Sequence, residues 1–201
     1  MAEVTIRLNR FGLEQGRSWS ALIVALAIAL PLVFWAIIER GASQLSSDVP
    51  RGTVISVDSY PEEGTRLSFA VPSTGWQQEV KVSPAESTIR RGSITLTVQI
   101  SSGVNNLDNF MERRTDHVVA NNSQVVASRA QEFLSHTARL EGYWADLVGR
   151  STSGAIVVLN QRDDSDSQTA ISVVALAPAG RLDEGMQDLE RLVDSMLLGA
   201  A

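Results

Sequence analysis

The sequence feature that most constrains this chain is an apolar run near its start, WSALIVALAIALPLVFWAII. Ser20 is the single polar residue of the run. A helix of this length, rising about 1.5 Å per residue, matches the roughly 30 Å hydrocarbon layer of a bilayer. Trp19 and Trp35 lie where aromatic rings favour the headgroup boundary, and a membrane helix tolerates a proline such as Pro31. The run therefore predicts a transmembrane signal anchor that begins at Trp19 and ends at Ile38.

A cleaved secretory signal and a buried core helix are the alternative interpretations of this run. Arginines precede it, as they do in secretory signals, but the run exceeds their usual apolar region of about 7–15 residues. The ERGASQL sequence that follows lacks a small-x-small cleavage site. Soluble core helices rarely contain about 18 or more consecutive apolar residues. A retained anchor is favoured, and because the chain has no cysteine, we expect no lipidated cysteine in its place.

The charges beside the run predict its orientation. Arg7, Arg10 and Arg17 precede it, whereas Arg40 and Arg51 follow it. Because basic residues tend to stay on the cytoplasmic side, we expect the N-terminus inside the cell and the rest of the chain outside the cytoplasm. The predicted organisation is a cytoplasmic segment at 1–18, the anchor at 19–38, a linker at 39–52 and an extracytoplasmic domain at 53–201.

The part of the chain that follows the run is acidic. From Glu39 onward it carries 14 of the 17 basic and 21 of the 23 acidic residues, a net charge of −7. Anionic lipid and nucleic acid both repel such a domain. We therefore expect the helix alone to hold the domain at the membrane, and no nucleic-acid partner. About 150 residues are enough for one domain with its own core.

Two kinds of periodicity in this part predict an α+β domain. In SITLTVQI, at 93–100, apolar and polar residues alternate, which is typical of a strand with one buried face. NNLDNFMERRTDHVVANN, at 105–122, and the C-terminal LDEGMQDLERLVDSMLL have helical spacing instead. The predicted fold is one antiparallel sheet with helices packed on it. Further strands are predicted at TVISVDS, RLSFAVPSTGW, QEVKV, 133–148, GAIVVLNQ and TAISVVALAP.

The run FAVPSTGW at 69–76, a strand that ends in a Pro-x-x-Gly-Trp turn, resembles the opening of PsbP-like domains. The order that follows is also similar: a strong strand, a helix with LDNFMERR, a three-stranded meander and a final helix, over 53–198. This fold is shared by the photosystem accessory protein PsbP and by actinobacterial LpqN-type envelope proteins. The resemblance implies a PsbP-like fold and a non-catalytic accessory, assembly or binding role. The chain departs from the LpqN type in having a signal anchor where those proteins have a lipidated cysteine.

The sequence offers few residues for catalysis or metal binding. His117 and His136 are the two histidines, and neither their spacing nor their neighbours indicate a zinc site or a nucleophilic triad. Asp163, Asp164 and Asp166 form an acidic turn without the glycine and distal glutamate of an EF-hand. We expect a solvated hairpin turn there, with weak calcium binding as the alternative. The prediction is no enzyme activity, no cofactor and no catalytic or metal-binding residue.

Two arginine pairs and one aromatic pair are the remaining candidates for binding. The arginine pairs at 90–91 and 113–114 are expected to be solvated or paired within the domain, with an anion site as the alternative. Tyr143 and Trp144 point to opposite faces if LEGYWADL is a strand. Either both are buried, one under each helical layer, or one of them lines an apolar groove that contacts a ligand or a partner.

Two classes of function fit these features. The first is a membrane-anchored accessory or assembly protein whose extracytoplasmic domain docks on a larger membrane complex, in envelope-lipid transport or respiratory assembly. The second is an extracytoplasmic carrier that binds a lipid or another apolar envelope ligand. An apolar cavity favours the carrier, and a closed core with a surface patch favours docking. The expected partners are the bilayer, a membrane protein complex and, for the carrier, a lipid.

Overall fold

The computed structural model of the chain describes residues 28–30, 46–59, 64–81, 83–122, 125–135, 137, 140–162 and 168–200. Residues 28–30 are helical. The rest of the predicted membrane anchor lies outside the described residues, as do His136 and the acidic turn at 163–166. Among the residues that are described, no helix has the length and apolar character needed to cross a membrane.

The chain divides into two compact units, Met1–Leu45 and Ser46–Ala201. The second unit is an α+β domain in which strands predominate. Its first strand lies at 46–49, inside the segment predicted as a linker, because this strand pairs with residues 76–79. The first strand therefore precedes the predicted domain start at 53.

Strands and helices alternate in blocks along the second unit. Its described part contains β1 (Ser46–Val49), β2 (Val54–Asp58), β3 (Thr65–Ala70), β4 (Trp76–Glu79), β5 (Glu86–Arg91), β6 (Ile94–Ser101), α1 (Leu107–Asn121), β7 (Val125–Ala127), β8 (Gln131–Leu134), β9 (Leu140–Gly149), β10 (Thr152–Gln161), β11 (Ala170–Pro178), a 3-10 turn (Ala179–Arg181), α2 (Leu182–Asp194) and β12 (Leu197–Ala200).

These strands form two antiparallel sheets where the sequence predicted one. The large sheet has nine strands in the order β1-β4-β5-β6-β11-β10-β9-β7, and β8 pairs with β9 beside β7. The small sheet has the order β12-β3-β2. Alternate residues of β2 and β3, such as Val57 and Leu67, are fully buried in the same core cluster as the large sheet. A separate sheet results because β3 pairs with β2 on one side and with β12 on the other, and β2 and β3 contribute one apolar face to that core.

The C-terminal helix is shorter than predicted. The pattern placed Met196 and Leu197 on the apolar face of a helix, but α2 ends at Asp194. The Ser195 hydroxyl accepts the backbone N–H of Ala70 over 2.9 Å, and the chain turns there into β12, which pairs with β3. The physical reason is tertiary: strand pairing satisfies the last backbone groups where a helix end would leave its carbonyls without partners.

One face of the large sheet packs against α2 and the small sheet; we call it the α2 face. Its core includes Leu96, Val157 and Val173, all completely or almost completely buried. The Pro-x-x-Gly-Trp turn belongs to this core, and Trp76 is fully buried. These contacts make the motif of the sequence resemblance a packing element of the domain.

The opposite face of the large sheet packs against α1; we call it the α1 face. The side chain of Asn106 accepts the backbone N–H of Asn109 over 2.8 Å and thereby caps α1. Phe110, Met111 and Val118 are the buried residues of the helix. They pack on the β7, β9, β10 and β11 part of this face, in one cluster with residues of those strands.

Strand β6 shows how the two faces differ. Leu96 and Val98 are fully buried on the α2 face, whereas Thr95, Thr97 and Gln99 are only half-buried on the α1 face. The prediction of one core face and one wet face for this strand is confirmed. The α1 face is therefore apolar under α1 and polar beyond it.

Candidate functional site

Tyr143 and Trp144 lie on β9 and contact opposite faces of the large sheet, as the alternation of a strand requires. Trp144 is half-buried against the α2 face, with its ring centroid 5.6 Å from that of Phe133. Its indole N–H donates to the Asp146 carboxylate over 2.9 Å. Tyr143 packs against the core cluster under α1. The two residues therefore belong to different surfaces.

A groove runs between α1 and the sheet edge that β7, β8 and β9 form; we call it the α1 groove. Its volume is about 660 Å³, and Tyr143 is one of the residues that line it. Asp108, Glu112 and Asp116 of α1 also line it, since residues four apart lie along one side of a helix. Glu132 of β8 lines it too, so four carboxylates line the groove together with the phenol.

The electrostatics of the α1 groove centre on Tyr143. A hydrogen bond to the Asp108 side chain raises the pKa of the Tyr143 phenol, and burial and the charges of Glu132 and Glu141 act in the same direction. The phenol therefore remains a hydrogen-bond donor to the carboxylate. Arg129 is the one basic side chain among the described residues that line the groove. The balance of charge is negative, which favours a cationic ligand or partner.

The outer wall of the α1 groove is an edge strand with a bulge. β7 pairs with residues 147–149 and β8 with 141–144. Between them, the Ser128 N–H donates to the Asp146 carbonyl over 2.8 Å, and the Ser128 hydroxyl accepts the Asp146 N–H over 2.9 Å. Bulges redirect side chains at sheet edges. Here Arg129 and Ala130 occupy the bulge and line the groove.

The groups that line the α1 groove suit the binding of a ligand or partner better than they suit catalysis. The Ser128 hydroxyl is engaged by the backbone of the bulge, and no histidine is among the described residues that line the groove. A nucleophile without a neighbouring base is weak. In the part of the chain that is described, no group of three histidine, aspartate or glutamate side chains could hold a metal ion. What the groove offers is negative charge and hydrogen-bonding groups.

The two predicted arginine pairs have different environments. Arg91 forms an ion pair with Asp188 over 2.7 Å, whereas Arg90 is exposed and donates to the Gly92 carbonyl. Arg113 and Arg114 both line a second cleft, between α1 and the loop that follows β6. His117, on the next turn of α1, lines the same cleft. The structure thus brings the second arginine pair together with a histidine and separates it from Tyr143.

The carboxylates of the α1 groove were not among the residues predicted from the sequence. Asp108, Glu112 and Asp116 recur every four residues within a segment that was predicted as a helix, so their common side could have been read from the spacing. No comparable spacing in the sequence indicated that Glu132 would line the groove. Its place in the groove depends on the pairing of β8 with β9, which a local pattern does not specify.

Among the comparisons with known proteins, the one with solved structures gives matches. No protein-family model matches the chain, and no curated protein matches it. Among solved structures, it is similar to cyanobacterial PsbP from Synechocystis sp. PCC 6803, with a TM-score of 0.45 and 14% identity, over 77% of this chain and 96% of that one. It is also similar to a crystal structure from Bacteroides thetaiotaomicron VPI-5482, with a TM-score of 0.32 and 10% identity, over 67% of this chain and 45% of that one. A PsbP structure is thus among the similar solved structures, and both structures named here are similar at low identity.

Proposed function

We propose that this protein is a single-pass membrane-anchored accessory protein whose extracytoplasmic domain docks on a larger membrane complex, in envelope-lipid transport or respiratory assembly. The α1 groove is the docking surface, and its occupant is a basic segment of the partner complex. The observation that carries the proposal is that four carboxylates line one open groove of about 660 Å³, which Tyr143 also lines. Opposite charges across an interface steer association and fix its register.

The apolar run at 19–38 supports the location of this function. A helix of that run holds the domain at the bilayer, and the arginines before it place the domain outside the cytoplasm. The run contains no charged residue, so it suits an anchor or a packing partner and provides no path for ions. Anionic lipid repels an acidic domain, so the negative charge of this domain remains available to bind a protein partner. The role parallels the one that the PsbP-like and LpqN-type resemblance implies.

The composition of the α1 groove favours docking over lipid carriage. A lipid tail requires an apolar lining. Among the described residues of the groove, the carboxylates of Asp108, Glu112, Asp116 and Glu132 would lose their hydration against such a tail. A basic segment would instead replace part of that hydration with ion pairs.

The test begins with site-specific photo-crosslinking in the membrane. Thr115 lines the α1 groove and is half-buried, so a benzoylphenylalanine at this position would contact an occupant without replacing a carboxylate. The crosslinked peptide, identified by mass spectrometry after gentle detergent extraction of the full chain, is expected to be rich in arginine and lysine. A crosslink to lipid alone would contradict docking and support the carrier.

Charge-removing variants decide whether the α1 groove is responsible. The Asp108→Asn, Glu112→Gln, Asp116→Asn triple variant is expected to reduce recovery of the crosslinked partner about tenfold or more. The matched control removes three exposed carboxylates elsewhere, with Glu79→Gln, Asp183→Asn and Glu190→Gln. An equal loss in both triple variants would assign the effect to net charge and reject the groove as the docking surface.

A further inference from the structure

The second cleft beside α1 has the opposite charge to the α1 groove. It lies between α1 and the loop that follows β6 and has a volume of about 380 Å³. Arg113, Arg114 and His117 line it, together with the hydroxyl groups of Ser101 and Ser102. No carboxylate is among the described residues that line this cleft. A basic cleft on a domain with a net charge of −7 is a local reversal of the surface charge.

Arg114 is the residue of the second cleft whose hydrogen bonding is incomplete. Its Nε is buried and has no hydrogen-bond partner. Burial lowers the pKa of Arg114, and the charge of Glu86 on β5 opposes this effect only in part. A buried donor without an acceptor loses the free energy of hydration and gains nothing in return. An anion in the cleft would place a negative charge beside this guanidinium, which lines the cleft.

The neighbouring residues are arranged to complete an anion site. Arg113 is exposed, and its Nε donates to the carbonyl of Asn109, one turn earlier in α1, over 3.2 Å. This bond keeps the guanidinium on the side of α1 on which Asn109 lies. The His117 Nε2 lies 3.0 Å from the amide nitrogen of Asn121, a contact that orients the imidazole ring. Two guanidinium groups and an imidazole can together donate several hydrogen bonds to one oxyanion, and arginine favours the planar geometry of phosphate oxygens.

We propose that the second cleft is an oxyanion site that binds a phosphate group through Arg114, Arg113 and His117. The phosphate is carried either by a phospholipid headgroup or by a free phosphate ion, which present the same oxygens to the arginines. The proposal is independent of the docking proposal, because the α1 groove and the second cleft share no lining residue.

The test is a calorimetric titration of the full chain in detergent with inorganic phosphate, against sodium chloride at equal ionic strength. Saturable binding is expected for phosphate and not for chloride. Arg114→Gln removes the half-buried guanidinium and is expected to weaken phosphate binding about tenfold or more. Arg113→Gln, at an exposed position, gives a second variant whose folding is not in question. Arg150→Gln removes an exposed arginine elsewhere and is expected to leave phosphate affinity unchanged.

The outcomes separate the proposal from its alternatives and identify the source of the phosphate. Absence of saturable phosphate binding, or equal affinity in wild type, Arg113→Gln and Arg114→Gln, overturns it. Glycerophosphoglycerol, the soluble headgroup of phosphatidylglycerol, is then added to the phosphate-loaded protein. Displacement of phosphate by this phosphodiester assigns the site to a lipid headgroup, and no displacement assigns it to free phosphate. Thermal unfolding of each variant confirms that a loss of binding comes from a folded protein.

Discussion

The two faces of the large sheet bury polar groups in different ways. On the α2 face, the buried carboxylate of Asp188 accepts from Arg91 and from the Ser73 hydroxyl, and Ser73 in turn accepts the indole N–H of Trp76 over 2.9 Å. On the α1 face, the two buried side-chain atoms without a partner among the described residues are Arg114 Nε and Ser172 Oγ. The comparison teaches that the polar groups of the α2 network are paired within the protein, whereas the α1 face leaves two described buried polar atoms without a partner.

The difference originates in the number of elements that cover each face. The α2 face packs in one core cluster with a helix and a second sheet. The α1 face is covered by a single helix, and the residues that β5 and β6 direct to it include Glu86, Thr88 and Thr97. The hydroxyls of Thr88 and Thr97 lie 3.1 Å apart and bond to each other on this open surface. Charged side chains of α1 flank the buried part of the face on both sides.

The largest effect is expected from breaking the network on the α2 face. The Asp188 side chain is 3% exposed and that of Arg91 24%, and the Arg91 guanidinium lies 5.1 Å from the Trp76 ring centroid. Asp188→Ala would leave this partly buried charge with only the exposed Glu184 carboxylate, 3.8 Å away, and is expected to lower the free energy of unfolding by about 2–3 kcal/mol. Urea denaturation of the full chain in detergent, followed by circular dichroism, measures the change.

The control for this prediction is on the same helix. Glu190 is exposed on α2, and Glu190→Ala is expected to change the free energy of unfolding by less than about 0.5 kcal/mol. Combining Asp188→Ala with Arg91→Met removes both members of the closest ion pair, so the double variant is expected to lose less than the sum of the two single variants. Additive losses would mean that the two residues contribute separately, and the α2 face would then lack the network described above.

A smaller effect, of opposite sign, is expected for the arginine of the α1 face. Arg114→Met replaces a half-buried guanidinium, whose buried Nε lacks a hydrogen-bond partner, with an apolar side chain of similar length. In phosphate-free buffer it is expected to raise the free energy of unfolding by up to about 1 kcal/mol. Arg91→Met, the matched change on the α2 face, is expected to lower it because the buried Asp188 carboxylate loses its nearest cation, at 2.7 Å, and keeps only Arg191 at 3.6 Å. If both variants were equally destabilising in urea denaturation, the two faces would not differ as argued.

The sequence predicted most of what is periodic in this fold. The alternation in β6 and the helical spacing and asparagine cap of α1 are local properties, and the structure has both elements at the expected places. The strand ESTIRR at 86–91 was not predicted, because its charged and hydroxyl residues alternate with only two well-buried positions, Ser87 and Ile89. β12 was also missed, because its LLGA sequence continues a helical pattern and becomes a strand only by pairing with β3.

The candidate sites were less accessible to sequence reasoning. Tyr143 and Trp144 were recognised as residues on opposite faces, but their surroundings depend on which strands lie beside β9. The separation of the two arginine pairs could not be predicted, since Arg91 meets Asp188 across 97 positions of sequence. Only the carboxylate spacing of α1 was present in the sequence as a local pattern. Contacts between distant segments decide the rest, and periodicity carries no information about them.

The smallest effect concerns the titration of Tyr143 in the α1 groove. The pKa of Tyr143 is raised in the folded protein, chiefly by its hydrogen bond to Asp108. The folded state therefore holds the phenolic proton more tightly than the unfolded state does. The stability from this bond is fully present below the unfolded pKa of about 10 and is lost as the pH rises through the folded pKa. Urea denaturation at increasing alkaline pH is expected to show this loss in the wild type, and Tyr143→Phe is expected to flatten that part of the profile.

Substituting Asp108, the hydrogen-bond partner of the Tyr143 phenol, tests the cause of the pKa shift more directly. Asp108→Asn removes the largest cause of the shift and is expected to return the Tyr143 pKa toward its ordinary value in a spectrophotometric titration. Glu190→Gln, a carboxylate removed from α2, is expected to leave the titration unchanged. If both variants lowered the Tyr143 pKa equally, the shift would come from the acidity of the whole domain. A response confined to Asp108→Asn would show that the negative potential is concentrated in the α1 groove, which the recognition of a basic partner segment requires.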